Sequence, residues 1–232
     1  MSILMYVKEE EVFQVHPDEI MYLDFEDDGT IDDKSVGGHD SWNVTNGGTF
    51  SQVLTTTGPK YGTRCLTGEN DKQVWHAQTA ALQLGTGDFT IQLWYYPVSG
   101  QRVNDNYYTP ILGGDSYTNG VLYHMTDGVS PDHLVRWYQS AYLIDTSTAL
   151  NIDTWNHIRL VRESAVGYLF LDGVQRGSNT STINFTTAWV NGFNLLDEPT
   201  NSRECDGKID SLQILSSSLG TSNFTPEERT GA

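Results

Sequence analysis

Apolar and polar positions alternate along most of this chain, and two runs carry the alternation best. The first is GDFTIQLWYYP, residues 87–97. Phe89, Ile91, Leu93 and Tyr95 fall on one face of an extended segment, and Trp94 and Tyr96 fall on the other. β-Branched and aromatic residues at period two, bounded by Gly and Pro, predict a strand. A strand apolar on both faces belongs inside a layered structure. The second run is DTWNHIRLVRE, residues 153–163, which predicts a strand on the same grounds. It is followed by a hairpin, residues 168–171 and 174–177, around Asp172-Gly173, a pair suited to a type I′ turn.

The same reading extends outward from this centre. Residues 20–28, IMYLDFEDD, predict a strand with Met21, Leu23 and Phe25 on one side. Residues 29–49 read as a long Gly-, Asp- and Asn-rich loop containing Trp42. Residues 50–57 and 61–67 predict two short strands joined through Gly58-Pro59. Residues 72–84 hold Trp75 and at most one helical turn. Further strands are predicted at 111–112, 120–125, 133–142, 193–196 and 208–215. About a dozen strands with turns every 8 to 15 residues and no convincing helix predict an all-β chain, a two-sheet antiparallel sandwich or a barrel. Residues 1–19 alternate apolar, charged and apolar blocks and stand apart from the pattern. They read as an arm that docks on a partner or as an extra edge strand. Residues 216–232 read as a tail lying on the surface.

Composition narrows the partners. The 232 residues carry 13 Lys and Arg against 30 Asp and Glu, a formal charge of −17. Nucleic acid and anionic membranes both demand Lys and Arg, so neither is an expected partner. No run of about 18 apolar residues predicts a membrane span. The start, MSILMYVKEEE, lacks the basic n-region and small-residue cleavage site of a secretory signal. Six Trp, twelve Tyr and 22 Gly nevertheless suit an extracellular protein. A protein assembled inside a cell and released by lysis reconciles the two. Cys65 and Cys205 fit no metal-binding spacing. Two buried thiols are expected of a chain made in the cytosol, with a disulfide as the alternative.

Five motifs, in order, resemble one family. GDFTIQLWYYP is similar to the "DFT-hydrophobic-x-hydrophobic-W" strand of concanavalin A-like, laminin G-like domains, and DTWNHIRLVRE to their "W-x-H-hydrophobic-x-hydrophobic-V-R" strand. LFLDGVQRGS, residues 169–178, resembles their hairpin, and GKIDSLQIL, residues 207–215, their closing strand. LDFEDDG, residues 23–29, matches the opening strand. SNFTPEE, residues 222–228, resembles a tail found after such domains in bacteriophage proteins. The resemblance covers about residues 20–228 and implies a jelly-roll sandwich over residues 20–215. It also implies that Trp94 and Trp155 occupy core positions. It constrains function loosely, because such domains include lectins, adhesive modules and glycosidases.

Sandwich glucanases place carboxylates at alternate positions of one strand, and glycoside hydrolysis needs two of them facing across a cleft. Asp24 and Glu26 come nearest, but on the opening strand; Asp197 and Glu198 are adjacent and point apart if extended. No nucleophile elbow or His-Glu-x-x-His occurs, and the six His are scattered. His157, in the W-x-H position, reads as a hydrogen-bonded structural residue. The expectation is therefore a non-enzyme.

Asp210 is the candidate metal ligand. By alternation it shares the core face with Leu212 and Ile214, where a carboxylate is costly unless paired or ligating. Related sandwiches hold a structural Ca²⁺ between the opening strand, a Gly loop and the closing Asp, which implicates Asp24, Glu26 and carbonyls near Gly68. The competing reading is that Asp210 accepts backbone N–H groups or pairs with Arg64 or Lys208. The acidic loop 27–33 lacks EF-hand spacing. For sugar binding, the candidates are the loop and strand aromatics Trp42, Tyr107, Tyr108, Tyr117, Trp137 and Tyr138. The sequence thus predicts a recognition or structural module of a bacteriophage virion (capsid decoration, tail or fibre), exposed on the virion surface or otherwise extracellular. It would be multicopy or homo-oligomeric, anchored to other virion proteins through residues 1–19, and bound to host cell-surface glycans. The alternatives are a purely architectural virion protein and a sandwich glycoside hydrolase.

Overall fold

The computed structural model describes residues 15–44, 48–68, 72, 74–99, 108–114, 119–125, 133–139, 141–146, 148–181, 184–185, 189, 192–198 and 203–228. The strands are β1 (Glu19–Leu23), β2 (Trp42–Val44), β3 (Leu54–Thr55), β4 (Cys65–Thr67), β5 (Val74–His76), β6 (Phe89–Tyr96), β7 (Tyr108–Gly113), β8 (Asn119–Met125) and β9 (Leu134–Gln139). They continue with β10 (Ala141–Asp145), β11 (Asn156–Glu163), β12 (Val166–Leu171), β13 (Val174–Thr180), β14 (Phe193–Leu195), β15 (Asp197–Glu198), β16 (Arg203–Glu204) and β17 (Lys208–Leu215). Helical structure includes one turn, α1 (Phe50–Val53), a 3₁₀ turn at Ala80–Leu82, and Phe185, whose carbonyl accepts the Trp189 N–H.

Two antiparallel sheets face each other as a sandwich. The first runs β13-β12-β11-β6-β17-β4-β3, with β1 also pairing β17. The second runs β10-β9-β8-β7-β14-β5-β2. The two runs that dominate the sequence, β6 and β11, are direct neighbours: Trp94 pairs with His157 and Ile91 with Leu160. β17 flanks β6 on the other side, so the fold is a sandwich and not a barrel.

The core lies between the sheets. Phe89, Ile91, Leu93 and Tyr95 of β6 and Leu122, Val135, Trp137, Phe193 and Leu195 of the second sheet belong to one apolar cluster. Burial of this apolar area is the dominant favourable contribution to folding. The Tyr95 hydroxyl crosses it to His124 Nδ1 at 3.0 Å and to Cys205 Sγ at 3.1 Å. Both cysteines are free thiols and both are buried.

Several local expectations change: residues 61–64 belong to a loop and only 65–67 to a strand, while β2 and β5 lie in segments read as loop and helical turn. Residues 50–53 are helical because the Gln52 side chain accepts the Thr49 N–H at 2.9 Å, the reach-back half of a capping box. Residues 133–142 contain parts of two strands, β9 and β10, paired with each other. Asp210 does not share a face with Leu212. Ser211 takes φ +53, and the β17–β6 register shifts between Asp210 and Gln213. This bulge inserts one residue and reverses the alternation. Ile209, Leu212 and Ile214 point into the core, whereas Asp210 stands beside Trp94 on the outer face.

Of the expected arm, residues 1–14 lie outside the described part, and Glu19 opens β1. Residues 216–228 lie across the outer face of the first sheet. The Phe224 N–H bonds to Gly173 O at 2.9 Å, and the Phe224 ring meets those of His157 and Phe170. Gly173 holds φ +76, and a Cβ there would lie 1.9 Å from Phe224 O, so only glycine accepts both the turn and the docked tail.

Candidate carbohydrate-binding face

The outer face of the first sheet is built from alternate residues that the core does not take. Across its middle runs a row of buried polar side chains. Gln213 Nε2 donates to Glu19 Oε2 at 2.6 Å, Gln92 Nε2 donates to Gln213 Oε1 at 2.6 Å, and Arg159 Nε donates to Gln92 Oε1 at 2.7 Å. The row spans β1, β17, β6 and β11 because cross-strand neighbours share a face. The Phe224 ring covers its end, 3.4 Å from Arg159 Cζ. Burial lowers Arg159 to about 10.

At the other end of these strands the cover is a loop, residues 57–64. Asp210 Oδ2 accepts the N–H of Lys60 at 2.8 Å and of Tyr61 at 3.1 Å. Glu26 accepts the N–H of Thr63 at 2.8 Å and of Arg64 at 3.1 Å. Gly62, at φ +55, lets the chain pass so close that a Cβ would stand 2.2 Å from Glu26 Oε1. Two carboxylates thus anchor one loop by accepting its backbone amides, strong charge-assisted bonds. Burial raises Asp210 to about 7, against the amides of Tyr61 and Lys60, which favour its charged form.

The loop delivers a cluster of rings and ammonium groups. Lys60 Nζ lies 3.9 Å from the Trp94 ring centroid, and Tyr61 meets Trp94 edge-on at 5.9 Å. Beside them, Lys208 Nζ lies 5.2 Å from the Tyr96 centroid and donates to Thr57 O at 2.7 Å. Trp155 meets Tyr96 edge-on at 5.5 Å, and its indole N–H bonds to Gly58 O at 3.2 Å. Trp94 is 7% exposed, sealed beneath Lys60 and Tyr61, while Lys60, Tyr61, Tyr96, Trp155 and Lys208 are all half-buried. The core positions implied for Trp94 and Trp155 are therefore corrected: both lie outside the core cluster, on the outer side of the first sheet.

The expected sugar-binding aromatics do not form one surface. Trp42 (5% exposed) and Trp137 (1% exposed) belong to the core, packed on Phe193 and Phe89 respectively, so neither ring can stack on a sugar. Their position on inward faces of β2 and β9 is the reason. Tyr138 is half-buried on the outer face of the second sheet, edge-on to Tyr123 at 6.2 Å. Tyr107 and Tyr117 lie outside the described residues, as does the side chain of Tyr108.

The four expected calcium ligands are likewise dispersed in purpose. Glu26 and Asp210 serve the loop amides, as the competing reading held for Asp210. Asp24, half-buried and raised by that burial, accepts the Glu26 N–H at 3.2 Å. Gly68 donates its N–H to Gly207 O at 3.0 Å. Among the described residues no three His, Cys, Asp or Glu side chains form a metal-binding group.

One family model, described as the concanavalin A-like lectin/glucanases superfamily, matches residues 69–223. The chain belongs to this superfamily, as a laminin G-like member. No curated protein matches it. Among solved structures it is similar to domain 4 of AbnA, a GH43 extracellular arabinanase from Geobacillus stearothermophilus, in complex with arabinotriose. That match has 16% identity and a TM-score of 0.65, covering 87% of this chain and 94% of that one. It is also similar to the binding domain of Paraclostridial Mosquitocidal Protein 1, at 14% identity and a TM-score of 0.65, covering 88% of this chain and 50% of that one. Trypanosoma rangeli sialidase in complex with sialic acid matches at 14% identity and a TM-score of 0.60, covering 88% of this chain and 31% of that one. At such identities the likeness shows the fold.

Proposed function

We propose that the protein is a non-enzymatic glycan-recognition module displayed on the outside of a bacteriophage particle. The observation that carries the glycan part is the pinned pair Tyr96–Trp155: two half-buried rings, one locked by its indole N–H, at one end of a lectin-like sandwich. Rigid amphipathic rings of this kind supply contact area at low entropic cost. An arabinotriose-bound sandwich among the similar structures supports the same reading. The virion setting is supported by the phage-like SNFTPEE segment, which here is docked through Phe224. The absence of catalysis is supported by Glu26 and Asp210, whose carboxylates are committed to loop amides. The virion-anchoring role of residues 1–19 and a multicopy state belong to the same proposal.

The test is a glycan array probed with the intact protein and with Trp155→Ala. Binding by the wild type that falls at least tenfold in the variant supports the reading. Absence of binding by either protein favours a purely architectural virion component. Release of reducing sugar from any bound glycan would replace the module with a glycosidase.

A further inference from the structure

We propose that the Tyr96–Trp155 platform takes a carboxylate-bearing sugar, with Lys208 and Lys60 supplying the counter-charge. This rests on the glycan-recognition reading above and names its ligand class.

Basic residues number 13 of 232, yet two of them meet at this one end of the first sheet. Among the described residues ion pairs form at Lys34 with Asp27 and Asp32 and at Arg64 with Asp28, and none forms at Lys60 or Lys208. The ammonium groups instead sit over Trp94 and Tyr96, ring-to-cation arrangements that leave N–H donors toward solvent. Trp94 and Tyr96 are two residues apart on β6, so the cations are based roughly 7 Å apart along the strand. That is the scale of one sugar residue.

The surrounding acids direct an anion to one side of the cluster. Asp210 is turned inward onto the amides of Lys60 and Tyr61. Glu227 and Glu228 of the tail act on Tyr61, whose hydroxyl is raised first by burial and then by their charge. Asp153, two residues before Trp155, is committed to the Ser99 N–H at 2.9 Å. An incoming carboxylate is thus drawn off these acids to the ammonium groups of Lys208 and Lys60, with the sugar against Tyr96 and Trp155. Trp155 cannot swing away without breaking its bond to Gly58 O. The same loop carries Lys60, so one ordered segment fixes both ring and cation.

The experiment measures binding of the intact protein to three acidic probes and two neutral ones. The acidic probes are oligogalacturonate, 3′-sialyllactose and heparin; the neutral ones are lactose and arabinotriose. The variants are Lys208→Gln, Lys60→Gln and Lys208→Arg, each with its melting temperature measured. Oligogalacturonate or sialyllactose should bind at least tenfold tighter than the neutral probes. Either glutamine variant should lose about tenfold, Lys208→Arg should retain most of the affinity, and raising salt should weaken binding. Preference among the acidic probes assigns the source of the carboxylate; binding of heparin alone would overturn the carboxylate in favour of sulfate. Neutral-sugar binding unaffected by the lysine variants would overturn this inference and leave the glycan-recognition reading standing. No binding to any probe overturns both.

Discussion

Two regions of one sheet face, a few residues apart on the same strands, treat their polar groups in opposite ways. In the middle of the first sheet, Glu19, Gln213, Gln92 and Arg159 hydrogen-bond to one another in sequence and are roofed at one end by Phe224. At the end of the sheet, Lys60 and Lys208 carry charge without a carboxylate partner among the described residues and lie over the rings of Trp94 and Tyr96. The difference teaches where this fold commits polarity to stability and where it holds it in reserve. A buried polar group left unpaired costs its desolvation, and the linked row avoids that cost. Groups at the rim face no such demand and remain free to meet a ligand.

The sharpest way to break this contrast is at the satisfied row. Gln213→Leu removes both the donor to Glu19 and the acceptor of Gln92. It should cost about 2–4 kcal/mol in chemical denaturation, with the same glycan-binding constant in the protein that remains folded. Next, Phe224→Ala removes the roof. A loss of about 1–2 kcal/mol is expected for a half-buried ring, together with faster hydrogen exchange over residues 216–228. Unchanged exchange would mean the tail is held by its backbone bonds alone.

Another effect is expected at Asp210, and its size depends on pH. The folded pKa is about 7 and the unfolded one near the ordinary 3.8. Between those values the folded state holds a proton that the unfolded state has lost. Stability from this group is therefore present at low pH and falls as pH rises from about 4 to 7. Asp210→Asn cannot titrate, so it should gain on the wild type across that window and level off above it. His124 and His157, each lowered to about 3 chiefly by burial, pull the other way. Their contribution is lost as pH falls below about 6.5, and it cancels in the wild-type-minus-variant difference. A difference flat from pH 4 to 7 would show that Asp210 is not protonated in the folded state. Smallest of all, Lys34→Ala breaks the half-exposed pair with Asp27 and should change stability by about 0.5 kcal/mol or less.

Much of the architecture was legible because period-two alternation survives in the long strands. β6, β11 and β17 lie where residues 87–97, 153–163 and 208–215 place them, and the Asp172-Gly173 turn joins β12 to β13. The site was less legible, for identifiable reasons. A bulge at Ser211 moved Asp210 to the opposite face, and nothing in KIDSLQIL marks the extra residue. Trp42 and Trp137 read as surface aromatics because burial depends on which side of a strand faces the partner sheet. Trp94 and Tyr96 were separable from the core by alternation alone, which sets them opposite Phe89, Ile91, Leu93 and Tyr95. Lys60 and Tyr61 gave no sign of meeting them. That contact depends on residues 150 positions apart, through the bond from Lys60 N–H to Asp210.

The two thiols carry a practical consequence. Cys65 is pushed to about 12 by burial first, and Cys205 shares its sulfur with the Tyr95 hydroxyl inside the core. Alkylation requires the thiolate and access to it, so neither sulfur can be labelled while its own surroundings stay closed, the core for Cys205 and the outer side of the first sheet for Cys65. Cys65 belongs to β4 and Cys205 leads into β17. Their alkylation rates, read by mass spectrometry, thus time two openings separately: the outer face beside the lysine loop at Cys65, and the core at Cys205.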